Sequence, residues 1–127
     1  MGDPYIRNAR ISSATIDIER GFIITGWVHL EFGAGGQGFG GYVIGGIGDA
    51  RAADHDKQPN LAAIWLAGVM QAAGVEHFSD MKGKIVRIRK VDEFGKIDAI
   101  GHAIKDEWFA PKQAFADAML AERERQP

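Results

Sequence analysis

Residues 11–32 read Ile11-Ser12-Ser13-Ala14-Thr15-Ile16-Asp17-Ile18-Glu19-Arg20-Gly21-Phe22-Ile23-Ile24-Thr25-Gly26-Trp27-Val28-His29-Leu30-Glu31-Phe32. Ala14, Ile16 and Ile18 alternate with Ser13, Thr15 and Asp17. Phe22, Ile24, Val28 and Leu30 then alternate with Thr25, His29 and Glu31. A period of two places each set on one side of an extended chain, so the stretch predicts two half-buried strands. Glu19-Arg20-Gly21 supplies the short turn between them, with a glycine free to take positive φ. An antiparallel hairpin therefore starts the fold.

Residues 33–48 hold nine of the chain's seventeen glycines, with Phe39, Tyr42, Val43 and Ile44 among them. A third strand is expected from about Gln37 to Ile44. Glycine weakens a strand unless a ligand or another backbone must come close, which makes Gly38, Gly40 and Gly41 candidates for such an approach. Gly36-Gln37-Gly38-Phe39-Gly40-Gly41 also satisfies GxGxxG, but Tyr42-Val43-Ile44 follows where a nucleotide fingerprint needs a helix. The glycines read as a bulged strand, not a phosphate loop.

Asp49 to Lys57, with Asp54-His55-Asp56, reads as an exposed polar loop. Pro59 is placed in a first helical turn, and Leu61, Ile64, Trp65, Val69 and Ala72 recur at helical spacing up to a capping Gly74. Ala62, Leu66, Met70 and Ala73 make the other side of this helix apolar as well, which predicts either burial between layers or a subunit interface. Two more strands are expected at Ile85 to Val91 and Lys96 to Ile104, turned at Asp92-Glu93-Phe94-Gly95. A second helix follows Pro111 through Phe115, Ala118 and Met119. The result is an α+β fold in which a small antiparallel sheet of about five strands packs against two helices. A chain of 127 residues suits one domain, with a core over about 6–120.

Composition narrows the chemistry. No cysteine is present, which removes disulfides, thiolate nucleophiles and cysteine-based zinc sites. His29, His55, His77 and His102 show no helical metal-ligand spacing, so neither metal nor cofactor is predicted. A net charge of −2 offers no global attraction to nucleic acid, which makes that partner unlikely on charge alone. No basic segment leads an apolar run, and no stretch approaches membrane-spanning length; a cytoplasmic protein without a membrane partner is expected.

Two groups of side chains stand out. Trp27 and His29 share a strand face with Thr25 and Glu31, offering a stacking surface and an imidazole. Arg87 and Arg89 share one side of a basic strand, and a guanidinium pair can hold phosphate bidentately.

Gly36-Gln37-Gly38-Phe39-Gly40-Gly41-Tyr42, the passage from Ala73-Gly74-Val75-Glu76 to Lys82-Gly83-Lys84, and Ile100-Gly101-His102-Ala103-Ile104-Lys105-Asp106-Glu107-Trp108-Phe109 carry a likeness. With them the chain resembles a family of small proteins from tailed phages and prophages, in the same order from about Ile11 to Pro111. The first helix is richer in alanine than that pattern. The resemblance implies a phage accessory protein inside a bacterial host and assigns no active site. Counter-defence is a frequent role for such proteins, by sequestering a nucleotide immune signal or by binding a host defence or CRISPR protein. Combined with the residues, this points to a non-catalytic, homodimeric or larger binding protein. Trp27, His29 and Tyr42 would stack a base, Arg87 and Arg89 would take phosphate, and Gly38, Gly40 and Gly41 would admit the ligand. Two other readings stay open: a nucleotide-cleaving enzyme with His29 or His102 as general base, and an RNA- or DNA-binding module using the basic strand.

Overall fold

The computed structural model of the protein describes residues 5–47 and 59–125. Strands β1 (Tyr5–Glu19), β2 (Ile23–Phe32) and β3 (Gly35–Gly46) form a meander. Helix α1 (Leu61–Ala73) and a 3₁₀ turn (Phe78–Asp80) lead to β4 (Ile85–Lys90), β5 (Ile97–His102) and β6 (Trp108–Phe109), and helix α2 (Pro111–Arg125) ends the fold. The sheet order is β3-β2-β1-β4-β5-β6, with every neighbouring pair antiparallel. The expected α+β architecture holds, with six strands where the periodicity predicts five; β6 is two residues long, too short to leave a periodic trace.

The first hairpin closes as the alternation predicts. Arg20 and Gly21 both take positive φ, 55° and 79°, and Phe22 N–H donates to the Glu19 carbonyl. Positive φ at Arg20 and Gly21 matches the right-handed twist of the flanking strands, and three residues, Arg20 to Phe22, separate the paired Glu19 and Ile23. β3 runs further in both directions than Gln37 to Ile44. Two register shifts between β2 and β3, at Ile24/Thr25 and Gly26/Trp27, mark the bulges that its glycines permit.

One side of the sheet is covered by α1. Ala9, Ile11, Val28, Leu30, Phe39, Val86, Ile88 and Ile100 point toward it and are buried. Trp65, fully buried, sits at the centre, stacked on Phe39 at 5.6 Å, edge-on to Phe109 at 5.9 Å and tilted to Tyr42 at 6.1 Å. Its indole nitrogen lies against Gly26, where a Cβ would overlap the ring, so a small residue at that point of β2 is a packing requirement. Asn60, not Pro59, starts α1: its side chain accepts the Ala63 N–H, and Pro59 precedes the cap. Gly74 closes the helix in the left-handed conformation, as predicted. The second apolar side of α1 is largely used within the chain: Ala73 is buried, and Ala62, Leu66 and Met70 are partly buried against the core. That helix therefore supplies no strong argument for an oligomer. The segment Asp49 to Lys57, with Asp54-His55-Asp56, lies outside the described residues. Among the described residues no helix is long and apolar enough to cross a membrane.

Candidate functional site

The other side of the sheet carries the residues singled out for binding. Directly paired residues of antiparallel strands share a face. Glu31 pairs with Arg10, His29 with Ser13 and Trp27 with Thr15; across β1, Arg10 pairs with Ile85, Asn8 with Arg87 and Ile6 with Arg89. Trp27, His29, Arg87 and Arg89 thus project from one open face.

They form two patches there. In the first, the rings of Trp27 and His29 lie nearly parallel, 11° apart, with centroids separated by 5.9 Å. The indole rests across β3: a Cβ on Gly41 would lie 2.6 Å from it and one on Gly38 3.1 Å. What the glycines of β3 admit is therefore the protein's own tryptophan, and this corrects the expectation that Gly38 and Gly41 leave room for a ligand at the backbone. Gly40 faces the other way, against the Gly26 carbonyl and the Trp65 ring, and is likewise no approach point for a ligand.

The second patch is built by the segment from Gly101 to Trp108. Trp108 lies over Gly101, where a Cβ would come within 2.7 Å of the indole. The guanidinium of Arg87 stands 4.8 Å from the Trp108 ring centre and that of Arg89 5.7 Å. Arg87 Nε donates to the His102 carbonyl at 2.8 Å and Nη2 to the Lys105 carbonyl at 2.7 Å. Arg89 Nε donates to Asp98 Oδ1 at 3.0 Å. His102 Nδ1 accepts the N–H groups of Ile104 and Lys105, and Trp108 Nε1 donates to Asp106. Each polar residue of Gly101-His102-Ala103-Ile104-Lys105-Asp106-Glu107-Trp108 that makes these contacts serves to hold the arginine-on-tryptophan stack. This gives His102 a structural role that occupies the nitrogen a general base would need.

Tyr42 joins neither patch. Opposite Gly26 on the helix-covered side, it meets Trp65 and the edge of Phe115 at 5.6 Å. Burial, reinforced by the negative charge of Asp98, raises its phenol above the ordinary tyrosine value. Tyr42 is thus partly buried against the core on the side opposite Trp27 and His29, and it does not stack a base with them. Nor do the remaining four converge. Trp27 pairs with Thr15 and Arg87 with Asn8, seven residues along β1, roughly 23 Å at ~3.3 Å per residue. A mononucleotide reaches one patch or the other.

Two features lie outside the residues that strand periodicity marks for function. Trp108 is the platform under both arginines, readable only once Gly101 is placed beneath it. Lys90, which follows Val86 and Ile88 on the buried side of β4, is 5% exposed and is held by the Glu93 carbonyl and the rings of Phe32 and Tyr5, at 4.8 and 5.2 Å. A lysine in phase with the apolar positions of a strand was the available signal. It borders a hollow of about 330 Å³ walled by Tyr5, Arg7, Phe32 and Phe94.

No family model, no curated protein and no solved structure matches the chain.

Proposed function

We propose that the protein binds a nucleotide without transforming it, with the base stacked on the Trp27–His29 platform of the open sheet face. One observation carries this reading: two aromatic rings, His29 exposed and Trp27 partly so, held nearly parallel on the side of the sheet opposite Trp65. Base stacking on such a ring contributes on the order of 1–3 kcal/mol and tolerates any base. Binding rather than catalysis is supported by the histidines. No carboxylate orients His29 among the described residues, and His102 spends Nδ1 on two backbone N–H groups. With the phage-protein resemblance, the biological role we propose is counter-defence in the bacterial cytoplasm, by retaining a nucleotide immune signal.

The test is calorimetric titration with a purine nucleoside diphosphate and with a cyclic dinucleotide, followed by denaturing the protein and identifying the released ligand. Binding by the parent chain, its loss in Trp27→Ala and recovery of intact ligand are expected. Retention of affinity in Trp27→Ala overturns the platform, and recovery of cleaved products overturns non-catalytic binding.

A second reading is favoured by the spacing of the patches. Two tryptophan platforms on one face, the second carrying two arginines, suit an extended oligonucleotide better than a mononucleotide. In that case Arg87→Ala/Arg89→Ala weakens binding as much as Trp27→Ala, and affinity falls steeply with salt. A mononucleotide confined to the first patch leaves the arginine variant unaffected.

A further inference from the structure

β1 is fifteen residues long, yet β4 pairs only with Tyr5 to Arg10. Hydrogen bonds between Ile11 N–H and the Lys84 carbonyl, and between Gly83 N–H and the Ile11 carbonyl, at 2.8 and 2.7 Å, extend that edge by one residue. From Ser12 to Glu19, β1 is paired with β2 on one side, and among the described residues no strand pairs with the other. At ~3.3 Å per residue this is roughly 25 Å of open edge. Its apolar face is also open: Ile16 is 42% exposed and Ile18 61%. A bulge at Ser12 marks where the open length starts, but no proline or inward-pointing lysine interrupts it. Long, apolar open edges pair with other strands unless such devices prevent it.

We infer that a second copy of this chain covers the edge, β1 against β1 in antiparallel register about a two-fold axis at Thr15. Three observations select this occupant. The register that places Thr15 opposite its counterpart sets Ile16 against Ala14 and Asp17 against Ser13, so the apolar residues share a side and no like charges meet. It also uses the available length and stops where Lys84 already bonds Ile11. Finally, the free end of β1 is acidic, with Asp17 and Glu19, whereas the corner where β4 begins is basic, with Lys82 and Lys84. Antiparallel pairing brings the acidic end of each copy beside the basic corner of the other. Neither lysine has an ion-pair partner among the described residues.

Joined this way, the sheets become continuous and their open faces lie on the same side. Trp27, Thr15, Thr15 of the second copy and its Trp27 then form one row, the tryptophans about 14 Å apart at ~4.8 Å per strand. A ligand with two bases would span two platforms; this consequence, unlike the pairing itself, rests on the nucleotide reading.

Light scattering during gel filtration of the full chain at micromolar concentrations tests the pairing. A particle of two 13.8 kDa chains is expected. Ile16→Lys should give a monomer with an unchanged circular dichroism spectrum. Glu19→Lys and Lys84→Glu should each weaken self-association by about tenfold, and the double variant should recover most of it. A monomeric parent, an oligomer indifferent to Ile16→Lys, or a double variant no better than the single ones overturns the proposal. Dimerisation of a protein that ignores nucleotides leaves the pairing standing and removes only the shared row.

Discussion

The smallest units that decide the site are the glycines beneath the tryptophans. Gly41 takes φ of 79°, a conformation that L side chains adopt at a cost, and its missing Cβ is the space the Trp27 indole fills. Gly41→Ala combines both penalties, and a loss of about 2–3 kcal/mol in denaturant unfolding is expected, together with displacement of the platform. A loss within about 0.5 kcal/mol would show that the indole is not seated there. Tyr42 offers a second check. Its phenol titrates above the ordinary 10.0 in the folded chain because burial and Asp98 oppose the phenolate. Between 10.0 and that raised value the folded chain keeps a proton that the unfolded chain has lost, so stability falls as pH rises through this window. Tyr42→Phe should flatten the alkaline decline of the unfolding midpoint; an unchanged pH profile contradicts the placement. At this scale the sequence was partly legible. Glycine enrichment announced close approach, but not that the approaching group was an indole of the same chain.

At the level of elements, periodicity served best where one face is buried and the other open. The β1–β2 hairpin was readable for that reason, because a slip of one residue would exchange Val28 and Leu30 for Trp27 and His29. Its turn still carries a cost, since Arg20 occupies φ of 55° without being glycine or asparagine. Arg20→Asn should raise stability by about 0.5–1 kcal/mol in thermal or denaturant unfolding, while an unchanged or lowered midpoint would mean that Arg20 makes a compensating contact. β6 was not legible because two residues establish no period, and the start of α1 was misplaced because proline tolerates the first helical turn and the position before the cap alike. The segment Gly101 to Trp108 was recognisable as a pattern. Its meaning, a loop wrapped around Arg87, depends on contacts between its backbone carbonyls and a side chain of another strand.

Across the whole molecule, α+β class and a sheet covered by helices on one side followed from composition and alternation. Strand order did not. The meander β1 to β3 adds β4 on the far edge of β1, and this crossover fixes both the distance between the two patches and the open length of β1. Hence the sequence suggested one pocket of five residues, whereas the structure gives two platforms on one face and packs Tyr42 against the core on the other. The apolar excess read in the first helix is met largely within the chain, while Ile16 and Ile18 at the β1 edge are among the exposed apolar residues. The three tryptophans report separately on these regions: Trp27 on the first platform, Trp108 on the arginine patch, Trp65 on the core. Nitrogen-edited NMR of their indole N–H resonances during titration with a cyclic dinucleotide shows where a base stacks. Stacking on the Trp27–His29 platform predicts a saturable shift of the Trp27 resonance with Trp65 unmoved; a shift confined to Trp108, or none at any indole, would contradict it.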